Sequence, residues 1–224
     1  MGSPYIQCRD SQITVEMYND AGSKSVMDLA VGIPDIPDGW FVLGQTAFPS
    51  SHIVGDVAGV ISKGLLVKEL VPGSLVPIVD WELIWTWDPS NSRGNDFRLW
   101  RGVVEDPTNY VVLGDFFKCG SEKPTQEETS QFRAICKNAL EEYNGANLPA
   151  ATQIWDDAGS GAPDDASVWR VNPFDDETGA LLGDTTGALN PSLFKASANH
   201  NVPQCTCYYL AEGAYTYEEE DDDD

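Results

Sequence analysis

The chain has 224 residues, 42% of them hydrophobic and 10% aromatic, enough for one domain or a fused set of small modules with a real core. No run of about 18 apolar residues occurs, which excludes a membrane-spanning helix. The net charge of −23, from 36 acidic and 13 basic residues, opposes unaided binding to nucleic acid or anionic lipid.

From the N-terminus, Met1 to Asp10 lacks a charged segment followed by an apolar core. A signal peptide of the usual kind is therefore not expected, and a cytoplasmic location is favoured. The first distinctive element is an aromatic-acidic loop, Tyr18-Asn19-Asp20-Ala21-Gly22-Ser23. It returns almost letter for letter as Trp155-Asp156-Asp157-Ala158-Gly159-Ser160, and the middle of the chain carries Trp87-Asp88-Pro89-Ser90-Asn91-Ser92. Each loop precedes a second shared stretch. Leu29-Ala30-Val31 leads to Pro37-Asp38-Gly39-Trp40-Phe41-Val42-Leu43-Gly44, and Leu99-Trp100-Arg101 leads to Pro107-Thr108-Asn109-Tyr110-Val111-Val112-Leu113-Gly114. Val168-Trp169-Arg170 leads to Thr178-Gly179-Ala180-Leu181-Leu182-Gly183.

Gly44, Gly114 and Gly183 stand 70 and 69 residues apart, and the residue 14 before each is Ala30, Trp100 or Trp169. A fixed period of this length marks an internal repeat. Pro-Asp-Gly and Pro-Thr-Asn are turn signals that feed extended aromatic and β-branched runs. Val42, Val112 and Leu182 then share one face. Further β-rich runs follow at Leu66–Leu70, Ile135–Ala139 and Cys207–Leu210.

Asp80–Trp87 also reads as a strand, with Trp81, Leu83, Trp85 and Trp87 on one face and Ile84 on the other. Its tryptophans, with Trp100, are expected in the core, although four so close together would also suit a stacking platform. Thr125–Tyr143 has helical character with a capping box at Thr125 and Glu128. Because the repeat places Ile135 and Cys136 on a strand, a short helix ahead of that strand is expected. The fold class is thus all-β: a pseudo-three-fold, β-prism-like arrangement of three antiparallel sheets, built from three repeats of about 70 residues. One domain covers 1–217, with repeats near 13–80, 81–150 and 151–217, and 218–224 is an acidic, solvated tail. Without the tail's seven charges the body still carries about −16.

The loop at Trp155–Ser160, the run Ser167-Val168-Trp169-Arg170-Val171-Asn172-Pro173, and Trp100-Arg101 followed by Tyr110-Val111-Val112-Leu113-Gly114-Asp115 resemble the vacuolar protein sorting-associated protein 62 (Vps62) family. Similar segments occur in Vps13-type proteins. The resemblance runs from about Tyr5 to Tyr217, with departures at Ala30, where tryptophan is expected, and at Ala180, where an aromatic is expected. It implies the repeat fold and, through the family's name, vacuolar trafficking; it implies no reaction and no catalytic residues.

No Gly-rich phosphate loop, HExxH or GxSxG is present, so an enzyme is not expected. The pairs Asp156/Asp157, Asp164/Asp165 and Asp175/Asp176 could work as acid and base, but solvated loop charge accounts for them in so acidic a chain. His52 and His200 have no neighbouring nucleophile and read as surface histidines. Five cysteines (Cys8, Cys119, Cys136, Cys205 and Cys207) lack the spacing of a zinc or disulfide scaffold, so free thiols are expected; a bridge such as Cys119 to Cys136 is the alternative.

The ligand-binding candidates are Asp20, Gly22 and Ser23, Asp88 and Ser90, and Asp156, Asp157, Gly159 and Ser160. Short carboxylates beside glycine amides and an aromatic ring suit a sugar. Clustered Asp oxygens also suit Ca²⁺, although no cofactor is required. The same residues equally make tight turns. Two functions are expected: lectin-like recognition of carbohydrate, as in a defence or toxin module, or an intracellular trafficking or scaffold role with a protein partner.

Overall fold

The computed structural model describes residues 3–20, 23–49, 63–88, 96–142, 152–171, 193–203 and 208–218. These residues form sixteen β-strands and one 3₁₀ turn, Lys137–Ala139, with no α-helix among them. The first copy supplies β1 (Ile6–Asn19), β2 (Ala30–Pro34), β3 (Thr46–Phe48) and β4 (Lys63–Glu69). The second supplies β5 (Leu75–Pro77), β6 (Asp80–Trp87), β7 (Phe97–Val103), β8 (Tyr110–Val111), β9 (Phe116–Cys119) and β10 (Arg133–Cys136). The third supplies β11 (Leu140–Glu142), β12 (Thr152–Asp156), β13 (Ser167–Val171), β14 (Leu193–Ser197) and β15 (Tyr208–Leu210), and β16 (Tyr215–Tyr217) closes the chain.

Each copy is built the same way. Three antiparallel strands form one sheet: the second half of β1 with β2 and β3, then β6-β7-β9, then β12-β13-β14. A smaller antiparallel sheet lies at the opposite end: the first half of β1 with β4, then β5-β10-β8, then β11-β15. The prism of three repeated sheets expected from the sequence is the fold. Among the described strands one ladder is parallel and joins β16 to β1, from Ile6↔Tyr215 to Cys8↔Tyr217.

A register shift falls at the same place in each three-stranded sheet. It lies between Glu16 and Tyr18, between Leu83 and Trp85, and between Gln153 and Trp155. One extra residue in a strand reverses the facing of everything beyond it. Trp85 and Trp87 therefore face away from Trp81 and Leu83, against the single face expected, and Leu83, just before the shift, is 51% exposed. The shift also divides the tryptophans between two cores: Trp85 and Trp87 pack with Tyr18, Phe97 and Trp155, whereas Trp81 packs with Trp40, Trp100 and Phe116.

The bulges fix the alignment of the copies. Tyr18, Trp85 and Trp155 are equivalent, opposite Val31, Leu99 and Val168. Their neighbours Gly32, Trp100 and Trp169 are equivalent too, so the first copy has Gly32 at the tryptophan position rather than Ala30. Continuing across the ladders, Ala47, Phe117 and Ala196 are equivalent, which places Leu193 opposite the glycines of the other copies. Gly183 and Ala180 lie outside the described residues.

These positions meet at the centre. A Cβ on Gly44 would stand 2.7 Å from the Gly114 Cα and 3.3 Å from Leu193 Cδ2, so only two bare backbones and one leucine fit there. The residue after each glycine then clamps the next copy. Gln45 donates through Nε2 to the Phe117 carbonyl at 3.0 Å and accepts from the Phe117 amide at 2.6 Å. Asp115 Oδ2 accepts from the equivalent Ala196 amide at 2.8 Å, while Arg101 donates to the Ala196 carbonyl at 3.0 Å. Between the third and first copies the link is instead a direct pairing of Leu193 with Thr46.

Local turns follow the sequence. The Trp40 amide donates to the Pro37 carbonyl at 3.0 Å, with Gly39 at φ +81°. The capping pair also forms, with Thr125 N donating to Glu128 Oε2 at 2.8 Å and Glu128 N to Thr125 Oγ1 at 3.2 Å. No helix follows it. Val42 N donates to the Gln131 carbonyl and Arg133 N to the Val42 carbonyl, each at 3.0 Å, and these bonds draw the chain into β10 instead. Ile135 and Cys136 lie on that strand, as expected. Cys8, Cys119 and Cys136 carry free thiols; Cys205 and Cys207 lie outside the described residues.

Candidate functional site

The acidic loops connect the first two strands of each three-stranded sheet and therefore project at one end of the prism. Asp20 and Asp157 are both 5% exposed. Their bonds are nearly superimposable. Each carboxylate accepts from an amide nine residues on: Asp20 Oδ1 from Leu29 N at 2.9 Å, and Asp157 Oδ1 from Ala166 N at 2.8 Å. Each takes the serine hydroxyl three residues on, Ser23 at 2.9 Å and Ser160 at 3.3 Å. Each carbonyl accepts the same serine's amide at 2.8 Å. A buried carboxylate that receives several donors fixes a loop closed, because releasing any donor leaves it unpaired. The repeated Asp and Ser thus make the turn and hold it rigid.

The loops of the first and third copies come together. Ser25 Oγ donates to the Asp156 carbonyl at 2.5 Å, and Val26 N donates to the Ala158 carbonyl at 3.0 Å. Gly159, at φ +88°, leaves room for this contact: a Cβ there would meet the Lys24 carbonyl and Val26 Cγ2 at 3.2 Å. Gly22 and Ser90 lie outside the described residues. Asp88 is exposed, and the ladder sets Trp87, not Asp88, at the position of Asp20 and Asp157. The middle loop therefore lacks the buried carboxylate, and Asp88 is not its counterpart.

The equivalent aromatics also hand a bond from copy to copy. The Tyr18 hydroxyl lies beside the Cys119 thiol of copy two. Trp85 Nε1 donates to the Asp164 carbonyl of copy three at 2.8 Å, and Trp155 Nε1 to Asp20 Oδ2 of copy one at 2.9 Å. Burial pushes the Tyr18 hydroxyl far up from its ordinary range. All three rings lie in the core, which settles the stacking platform in favour of packing for Trp85.

His200 is the participant that local sequence did not reveal. Its Nε2 lies 2.7 Å from Asp157 Oδ1, and the hydrogen bond to Asp157 raises its pKa, with Asp165 and Asp156 adding to the effect. Asp157, Asp165 and His200 bring potential ligand atoms within 4.8 Å of one another. Both Asp157 oxygens, however, already accept protein donors. One histidine and two carboxylates also fall short of the six to eight oxygens Ca²⁺ takes. The group is a hydrogen-bonded histidine–carboxylate pair with a second carboxylate beside it. The pair Asp175/Asp176 and His52 lie outside the described residues. The loop end thus presents Lys24, Val26, Asp164, Asp165 and His200 outward, with Val26 84% exposed, over a carboxylate framework turned inward.

The architecture defines the class: an all-β, pseudo-three-fold prism with two interlocked loops at one end. A solved structure of this fold is GNIP1Aa from Chromobacterium piscinae, which superimposes with a TM-score of 0.68 at 22% identity. The match covers 95% of this chain and 38% of that one, so the chain spans little more than a third of its structural neighbour's length. No family model and no curated protein matches the sequence.

Proposed function

We propose that the chain is a non-enzymatic, lectin-like binding protein, of the kind used in a defence or toxin module, whose ligand face is the loop end of the prism. One observation supports this above the others: buried Asp20 and Asp157 hold two loops rigid and joined, leaving an apolar tip at Val26 next to outward carboxylates and His200. A preorganised seat loses little entropy on binding. An apolar spot beside carboxylates suits a sugar, whose ring face is apolar and whose hydroxyls donate. The overall charge favours a neutral or basic ligand over an anionic one. A glycan array tests the reading. Sugar-selective signals that fall with Val26→Asp and with Asp165→Asn, while the thermal midpoint holds, support it; no signal on any glycan overturns it.

The Vps62 resemblance supports a second reading, an intracellular trafficking or scaffold protein that recognises a protein partner. Recovery of one stoichiometric partner from cytosol, lost on loop-end substitution, favours that reading over the first.

A further inference from the structure

The opposite end of the molecule carries a feature unrelated to the loops. Arg9 on β1 lies over the ring of Trp40, 4.4 Å from its centroid, and Lys68 on β4 approaches the same ring at 5.7 Å. Arg133 lies over the adjacent Phe41 at 3.9 Å. Among the described residues none of these three cations has a carboxylate within ion-pair distance, and Arg9 Nε is enclosed without a hydrogen-bond partner. Arg9 and Lys68 thus share the face of the β1–β4 ladder that carries Gln7 and Leu66, in a protein with 36 acidic residues. Arg133 lies on the other face, with Phe41 and Val67, where it donates to the Ser130 and Phe132 carbonyls and feels the Glu69 carboxylate.

The same sheet shows what approaches the Arg9–Lys68 face. β16 lies parallel to β1, so the residue after Tyr217 comes opposite Arg9. Glu218 N donates to the Cys8 carbonyl at 2.9 Å, and Gln7 Nε2 donates to Glu218 Oε2 at 2.7 Å. Gln7 in turn stands opposite Lys68 across the ladder. Glu218 is the first of seven consecutive carboxylates.

We propose that the Arg9–Lys68 face is the docking site of the chain's own acidic C-terminal run, Glu218–Asp224. Glu218 is its first seated residue. The carboxylates that follow supply the counter-charges that Arg9 and Lys68 lack, and tethering gives the run an effective concentration in the millimolar range. The contact is electrostatic and exposed, so it weakens as salt shortens the Debye length to about 8 Å at physiological strength.

The test uses full-length protein and the labelled heptapeptide Glu-Glu-Glu-Asp-Asp-Asp-Asp, read by fluorescence anisotropy at low salt. One form is unchanged. The other carries Glu219→Gln, Glu220→Gln, Asp221→Asn, Asp222→Asn, Asp223→Asn and Asp224→Asn, which vacates the face without shortening the chain. The neutralised form is expected to bind the peptide roughly tenfold or more tightly than the unchanged form, and Lys68→Glu in that background abolishes binding. Arg9→Gln acts likewise, and exposed Lys68 provides the test if loss of Arg9 from Trp40 disturbs folding. Equal binding by the two forms overturns occupancy by the chain's own run. No binding by the neutralised form, or binding unaffected by Lys68→Glu, overturns the site.

Discussion

Trp155 Nε1 donates to Asp20 Oδ2 at 2.9 Å, so a core aromatic of the third copy completes the bonding of a loop carboxylate in the first. Asp20→Ala therefore removes one acceptor from three donors, the Leu29 amide, the Ser23 hydroxyl and the Trp155 indole. Two of these stay buried without a partner, a cost of about 2–5 kcal/mol. Chemical denaturation should show the midpoint falling by that amount. Asp20→Asn, which keeps one acceptor oxygen, should lose less.

The contact between Gly44 and Gly114 leaves no space for a side chain. Gly114→Ala places a Cβ 2.7 Å from the Gly44 Cα, a backbone atom that moves only if the copies separate. Overpacking of this kind costs about 1–3 kcal/mol. A fall in the thermal midpoint is expected, with the mirror substitution Gly44→Ala giving a similar loss.

Asp115 is buried with its carboxylate shared by Arg101 at 2.7 Å and Lys195 at 3.3 Å. Asp115→Leu strands the Lys195 ammonium, whose side chain is 11% exposed, at a cost of about 3–5 kcal/mol. Arg101→Met should cost less, because Arg101 is 37% exposed and the Lys195 partner remains. Paired urea titrations of the two variants give the comparison.

His200 gains a carboxylate partner on folding, and its pKa rises above the ordinary value of about 6.5. Stability from this pair is fully present below the unfolded value and is lost as pH rises through the higher folded one. The thermal midpoint of wild type should therefore exceed that of His200→Gln at acidic pH, and the gap should close towards alkaline pH. A gap that widens with pH contradicts the assignment.

Much of the fold was legible because it is written locally and three times. The turn at Pro37–Trp40, the strand at Asp80–Trp87 and the capping pair Thr125–Glu128 all stand where their residues imply. Illegible were the consequences of one extra residue in each long strand. A bulge has no letter of its own, so Trp81 and Leu83 read as sharing the face of Trp85 and Trp87, and Trp87 rather than Trp85 was matched to Tyr18, which made Asp88 the partner of the loop aspartates. Counting back from the glycines put Ala30 in the place of Gly32. Leu193 was hidden because its role depends on crossing two ladders, not on matching a glycine. The Asp and Ser of the loops were found, but their inward direction depends on Leu29 and Ala166, nine residues away, and on Trp155 and His200 from elsewhere in the prism.

The parallel ladder between β1 and β16 makes the prism a ring whose joint is formed by its two most distant strands. During synthesis Ile6–Cys8 is made long before its partner Tyr215–Tyr217, with the other strands of the prism between them. Until β16 is made, that edge of β1 is therefore without its neighbour. Such an edge is a template for the wrong strand, and contacts this far apart in sequence slow folding. Closure of this ladder, more than the order in which the copies appear, is the step that completes the ring.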